Sequence, residues 1–234
     1  MTRKDFIDKI REHYTVSRVL SEKENGTVLR LTHKTLQRDI ILRSYPTAVV
    51  AYEKLRGIIH PNMPEVLDIH NLADGQIIIE EFIEGMTVAE VLEGGHYTYR
   101  AAKKIIEGVA AALDTLHGME IVHRDIKPEN IIVTSAGRIV LLDFNASRRI
   151  KPEKKTDTVI LGTVGYAPPE QFGISQSDPK SDIYALGVLL NVMLTGVHPS
   201  EKLARGKAGK IILKCTQINP DKRFLSVLKL IEAL

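Results

Sequence analysis

The hydrophobic pattern changes character once along the 234-residue chain, near Gly85. Residues 1–13 read as a short helix with Phe6, Ile7 and Ile10 on one side. Strand-like runs follow at Tyr14–Leu20, Thr27–Thr32 and Ile40–Ser44, separated by the turn-prone Glu24-Asn25-Gly26 and the polar Gln37-Arg38-Asp39. Thr47–Ile59 has helical spacing and is expected to stop at His60-Pro61-Asn62, because proline disfavours helical geometry in the residue before it. Val66–Leu72 and Gln76–Phe82 then read as two strands around the turn Ala73-Asp74-Gly75. Beyond Gly85, Tyr99–His117 carries Ala102, Ile105, Ile106, Val109, Leu113 and Leu116 at helical spacing, with Thr98 as N-cap and Gly118 as a stop. Ile183–Thr195 and Leu225–Leu234 are apolar helices in the same reading. Between Tyr99–His117 and Ile183–Thr195, Ile131–Val133 and Ile139–Leu142 form short strands joined by Ser135-Ala136-Gly137.

With 44% hydrophobic residues, a chain of this length can bury a core without disulfides or metals. The 32 Lys and Arg against 29 Asp and Glu leave a net charge of +3, which gives no reason to expect a nucleic-acid partner. Cys215 is the only cysteine, so an intrachain disulfide and a thiolate metal cluster are both excluded. The opening MTRKDFIDKIREHY is charged and amphipathic, unlike a secretory signal. The longest apolar-looking stretch, Tyr184–Leu194, is too short to span a bilayer. The expectation is a soluble, cytoplasmic protein with no membrane segment.

Chemistry concentrates in HRDIKPEN, His123 to Asn130, and in LLDFN, Leu141 to Asn145. Five fixed positions of that first spacing arise by chance on the order of once in ten thousand such chains. The set resembles the eukaryotic-type serine/threonine protein kinases, from about Tyr14 to the C-terminus, strongly in the helical part and weakly in the β part. The resemblance implies an α+β, two-lobed protein-kinase-like fold with a small β-rich N-lobe, 1–82, a hinge, 83–86, and a larger, mostly helical C-lobe, 87–234. It implies transfer of the γ-phosphoryl group of ATP, with Mg²⁺, to serine or threonine hydroxyls of a protein substrate. Asp125 would accept a hydrogen bond from the substrate hydroxyl, and Lys127 would place positive charge beside the transferring group. Thr163 would bond both of them. Asn130 and Asp143 offer the hard oxygen ligands that magnesium takes alongside phosphates and water. The nucleotide would meet Gly26, Val28, Ile41, Arg43, Glu80, Glu81, Ile83 and Ile132. GTVGYAPPE, Gly162 to Glu170, resembles the end of an activation segment, with Pro168 where the family usually has alanine. Arg148, Arg149, Lys151, Lys154 and Lys155 stand against a single Glu153 and read first as a solvated basic loop; the sharper reading is that phosphate on Thr156 or Thr158 pairs with Arg124 and orders it. Asp182 would hold the backbone of the catalytic loop, and Arg223 would pair with Glu170 in a buried bridge.

Several positions depart from the family pattern. Of the three glycines that cover phosphates only Gly26 remains, with Ser21 and Lys23 in the other two places. The family's V-A-I-K becomes Ile40-Ile41-Leu42-Arg43, exchanging a compact ammonium for a planar fork and a small alanine for Ile41. The helix glutamate that normally pairs with the lysine aligns with Ala51, while Glu53 lies two residues on, about 200° around a helix. Glu80 stands at a position that is usually apolar; it is either a strand-edge glutamate facing water or, since an unpaired buried charge is prohibitive, the partner of Arg43 in a replacement pair. Asn145 replaces the glycine of the family's D-F-G and is expected to supply some of its left-handed tolerance. Only residues 197–210 separate Gly196 from IILKC, which implies a shortened helical region where relatives dock protein substrates. Intact Asp125, Lys127, Asn130 and Asp143 favour the enzyme; Arg43, Ala51 and the damaged glycine loop favour a pseudokinase that binds a nucleotide or partner without transfer. A small-molecule phosphotransferase on a related fold is a third reading.

Overall fold

The computed structural model describes residues 1–150, 165–172 and 178–234. They divide into two compact units, one of Met1–His60 with Pro64–Ile83 and one of Pro61–Met63 with Glu84–Leu234.

The first unit opens with helix α1, Arg3–Ile10, started by a reciprocal capping box between Thr2 and Asp5. Strands β1 (Tyr14–Lys23), β2 (Gly26–His33) and β3 (Asp39–Tyr45) precede helix α2 (Val50–Leu55), and β4 (Val66–Leu72) and β5 (Gly75–Glu81) follow. They make one antiparallel sheet of order β1-β2-β3-β5-β4. Alternation sends Leu29, Leu31, Leu42 and Ile77 to one buried cluster, over which Phe6, Ile7 and Ile10 of α1 pack. Each fully buried aliphatic side chain there contributes about 1.5–3 kcal/mol. Helix α2 is much shorter than Thr47–Ile59. Val49 at its N-cap supplies no side-chain bond, and Gly57 turns left-handed at φ +76°, so neither end of the longer segment is held.

The second unit contains β6 (Met86–Thr87), α3 (Val88–Glu93), α4 (Tyr99–Gly118), β7 (Ile121–Val122), β8 (Ile131–Val133), β9 (Ile139–Leu141), β10 (Arg148–Arg149), α5 (Pro179–Thr195), α6 (Gly206–Cys215) and α7 (Val227–Ala233). Helix α4 is capped by Thr98, and its apolar stripe, Ile105, Ile106, Val109, Leu113 and Leu116, is fully buried. Helix α5 starts four residues earlier than its apolar pattern because Asp178 caps it and Pro179 occupies the first turn. It is buried nearly all round, with Ile183, Leu186, Val188, Leu189 and Leu190 inaccessible or nearly so. Helix α7 starts at Val227 behind the Ser226 cap. Short α3 carries a Thr87–Glu90 capping box. No helix among the described residues is long and apolar enough to cross a membrane.

Candidate active site

In the second unit, HRDIKPEN runs from the end of β7 to the start of β8, and its shape is imposed by one carboxylate. Asp182 on α5 is wholly buried; its Oδ2 accepts from the His123 N–H at 2.9 Å and its Oδ1 from the Arg124 N–H at 2.8 Å. His117 at the end of α4 adds an Nε2 contact to Oδ2 at 2.8 Å. Arg124 sits left-handed at φ 72°, a conformation costing on the order of 1–3 kcal/mol for a non-glycine residue. The two amide bonds from Asp182, and the bond from Gln171 Nε2 to the Arg124 carbonyl at 2.9 Å, hold it there. Burial alone would raise the Asp182 carboxyl; the hydrogen bond and charge of His117, with the Arg124 amide, hold it below the usual value.

His123 is also fully buried. Its Nδ1 accepts from the Asp125 N–H at 3.3 Å while Nε2 faces the Leu142 carbonyl at 3.2 Å, so this network assigns the neutral Nε2–H tautomer. Burial lowers its pKa from 6.5, against the opposing pull of Asp182, Asp125 and Asp143. Between that lowered value and about 6.5 the unfolded chain binds more protons, so stability rises with pH through the window and falls on acidification, by at most about 1.4 kcal/mol per pH unit. Denaturant midpoints at pH 7.5, 6.5 and 5.5 are expected to show this loss, and His123→Phe to flatten it. Half-buried His60, lowered by burial as well, contributes equally to both proteins, so the difference between them isolates His123.

Below this support the functional side chains converge. Lys127 Nζ lies 2.7 Å from Asp125 Oδ2. Asn130, at the end of the short turn Pro128–Asn130, donates from Nδ2 to the Asp125 carbonyl at 2.8 Å and to its Oδ2 at 2.9 Å. Both amide hydrogens are thereby directed at Asp125, so the carboxamide oxygen is the atom Asn130 can offer a cation. The β8–β9 hairpin brings Asp143 to the same end, since Ile131 pairs with Leu141 and the Leu142 N–H donates to the Asn130 carbonyl at 2.8 Å. One carboxylate and one amide oxygen fit magnesium, which keeps waters and phosphate oxygens as its other ligands. Among the described residues there is no cluster of three or more His, Cys, Asp or Glu that could form an all-protein cage.

The left-handed geometry expected of Asn145 is found instead at Asp143, φ 63°, while Asn145 donates its N–H to Asp143 Oδ1 at 3.4 Å. The departure from D-F-G therefore places no glycine-like demand on residue 145. Arg223 and Glu170 form the expected pair through two bonds, at 2.5 and 3.0 Å. Thr163, Thr156 and Thr158, with the basic residues from Lys151 to Lys155, lie outside the described residues.

In the first unit, the register puts Val28 opposite Arg43, and Ile41 opposite Glu80, across β2, β3 and β5. Arg43 and Glu80 project from the same face of neighbouring strands, and Arg43 Nε donates to Glu80 Oε2 at 2.5 Å, with both residues buried. Glu53 is exposed and turns elsewhere, accepting from Asn71 at 2.9 Å and Gln76 at 3.0 Å. The charge exchange from lysine to arginine is thus matched by a partner on the sheet rather than on α2. Gly26, at φ +151°, closes the β1–β2 hairpin; a Cβ there would lie 2.5 Å from the Tyr45 ring and 2.8 Å from the Ser44 carbonyl, so close packing on β3 is enough to require glycine. Glu81 is tied to Glu65 by two bonds, Glu81 N–H to the Glu65 carbonyl at 2.9 Å and Glu65 N–H to Glu81 Oε2 at 3.1 Å. Ile83 is buried at the end of this unit, and Ile132 pairs with Val140 in the second.

Two structural side chains escaped the sequence reading. His117 looked like the last polar residue of α4, yet it braces Asp182. Gln171 followed an apparently complete motif, yet it fixes the Arg124 carbonyl.

The family model described as protein kinase domain matches residues 15–227. The chain is 38% identical over 142 residues to the serine/threonine-protein kinase PrkC of Bacillus subtilis, covering 60% of this chain and 22% of that protein. It is 34% identical over 142 residues to the probable serine/threonine-protein kinase PknB of Lactococcus lactis, covering 60% and 23%. Serine/threonine-protein kinase PknL of Mycobacterium tuberculosis is 32% identical over 199 residues, covering 80% and 50%. The matches thus span less than a quarter of PrkC and PknB and half of PknL.

Proposed function

The chain belongs to the protein kinase domain family, and from that premise we propose that it is a serine/threonine protein kinase using ATP and Mg²⁺. The observation that carries this reading is the Asp125–Lys127–Asn130 cluster suspended from buried Asp182. Mg²⁺-bound ATP supplies the activated phosphoryl group, and phosphoryl transfer asks of the protein mainly positioning and charge stabilisation. Asp125 accepts the hydrogen bond of the attacking hydroxyl and orients it. Lys127, already within 2.7 Å of that carboxylate, sets positive charge at the same spot. Asn130 fixes Asp125 from one side, and its amide oxygen together with the Asp143 carboxylate would hold the metal. In the first unit, Gly26, Val28, Ile41, Arg43, Glu80, Glu81 and Ile83 are assigned to the nucleotide, as is Ile132 in the second. Thr163 is assigned to Asp125 and Lys127 from the sequence resemblance alone. A protein acceptor is supported by the names of the relatives.

The Arg43–Glu80 pair favours a second reading, a nucleotide- or partner-binding module without transfer, because Glu80 neutralises the guanidinium charge. Incubation with γ-labelled ATP, Mg²⁺ and an unstructured basic protein separates the two. The kinase reading expects label on the acceptor that chelation of magnesium abolishes; a Tm raised by Mg²⁺ and ATP with no label on any protein overturns it.

Arg43→Lys tests how the pair is tuned. Lysine lacks the Nε donor that meets Glu80, so the variant is expected to cost about 1 kcal/mol, a Tm fall of about 2–4 °C, and to transfer label no faster than wild type. A faster rate would contradict the assignment of Arg43 as Glu80's matched partner.

A further inference from the structure

A cavity of about 690 Å³ in the second unit is lined by Tyr99, Leu194, Thr195, Lys202, Leu203, Ala204, Arg205, Lys207 and Ala208. It lies where α5 ends and the short connection to α6 begins. Gly196 stops α5 in the left-handed conformation, φ 78°, and residues 197–205 form no helix. That connection is nevertheless fixed. Asn191, fully buried on α5, donates from Nδ2 to the Val197 carbonyl at 2.9 Å and the Lys202 carbonyl at 2.8 Å, and its Oδ1 accepts from the Ala204 N–H at 2.9 Å. A buried carboxamide bonded to three points of one loop leaves that loop little freedom, so the side chains it presents are pre-organised.

The lining has two characters. Lys202, Arg205 and Lys207 are exposed cations. Lys207 Nζ meets the Leu234 carbonyl at 3.0 Å, and neither Lys202 nor Arg205 has a carboxylate partner among the described residues. No acid lines the cavity; Glu201, next in sequence to Lys202, is outside it. Leu194, Leu203, Ala204 and Ala208 form an apolar wall, and Thr195 and Tyr99 add hydroxyls. A volume of this size accommodates a ligand of several side chains.

We propose that this cavity docks an acidic peptide segment of a protein partner, one that alternates carboxylates with aliphatic side chains. Lys202 and Arg205 select carboxylates by charge complementarity, with Lys207 held beside them on the Leu234 oxygen, and the apolar wall gives a peptide an advantage that a free inorganic anion cannot use. Docking here does not depend on phosphoryl transfer, and the test below reads binding alone.

The probe is a short fluorescein-labelled peptide alternating glutamate with leucine, followed by anisotropy with the intact 234-residue chain. Saturable binding that weakens as salt rises is expected. A glutamine–leucine peptide, a glutamate–serine peptide and the double variant Lys202→Glu/Arg205→Glu should each bind at least about tenfold more weakly. Because both cations are exposed, the double variant should keep the wild-type Tm, which separates lost docking from lost folding. Leu203→Ser should weaken the glutamate–leucine peptide while leaving the glutamate–serine peptide unchanged. Equal affinity of wild type and double variant overturns the proposal. So does displacement of the peptide by inorganic pyrophosphate at the peptide's own effective concentration, which would make the cavity an anion site only.

Discussion

Asp125→Asn is expected to lower the rate of phosphoryl transfer by about 10²–10⁴-fold while the protein keeps its fold. The replacement is isosteric. An amide oxygen at residue 125 can still accept from Lys127 and from Asn130, whose bonds to Asp125 are 2.7 and 2.9 Å long, so the loop keeps its local hydrogen bonds. What disappears is the anionic acceptor for the substrate hydroxyl. The loss should therefore fall on kcat, with the KM for ATP changed little and the Tm within a degree or two of wild type. Initial rates with an unstructured acceptor, measured beside a thermal melt, check both halves. An unchanged rate removes Asp125 from the chemistry; a lost rate accompanied by a collapsed Tm assigns it a structural role instead.

Glu170→Ala is expected to cost about 3–5 kcal/mol, enough to lower the Tm by about 6–20 °C. The reason lies in Arg223, which is 4% exposed and uses all its guanidinium donors: Nε to the Gln217 carbonyl, one terminal nitrogen to Glu170 and the Lys180 carbonyl, the other to Glu170 and the Ile218 carbonyl. Removing Glu170 leaves a desolvated cation with its charge uncompensated and also takes an acceptor from Ser181, whose hydroxyl donates to Glu170 at 3.0 Å. Removing both charges, as in Glu170→Met/Arg223→Met, should cost clearly less than the sum of the single replacements, because no lone buried charge remains. Chemical denaturation of wild type, Glu170→Met, Arg223→Met and the double variant gives the coupling; additive costs would mean the pair has no energetic role.

Much of this architecture can be read before folding is considered, and the failures have physical causes. The strand-like runs that contain Leu29, Leu31, Leu42 and Ile77 were located from the sequence, and in the structure these four share one buried cluster, as a period of two allows when one side is buried. Counting residues on the helix before His60 was enough to direct Glu53 away from Arg43 and to leave Glu80 as the partner. The same segment was read too long, since periodicity carries no information about an uncapped Val49 or a left-handed Gly57. Helix α3 is too short for a periodic signal and is announced only by the reciprocal cap of Thr87 and Glu90. In the site, Asp182, Glu170 and Arg223 were legible from the family resemblance, whereas His117 and Gln171 were not. Their hydrogen bonds reach residues 65 and 47 positions away, and nothing in the neighbouring sequence marks them. The left-handed strain at Asp143 rather than Asn145 is likewise set by the hairpin end and not by residue preference.

The most direct test of the central claim, that the Asp125 loop held by Asp182 orients an alcohol for phosphorylation, is phosphoamino-acid analysis of the acceptor after incubation with γ-labelled ATP and Mg²⁺. Wild type is predicted to leave label on serine and threonine, with the Asp125→Asn protein, assayed in parallel, leaving almost none. Equal label from both proteins, or label confined to residues other than serine and threonine, would contradict it.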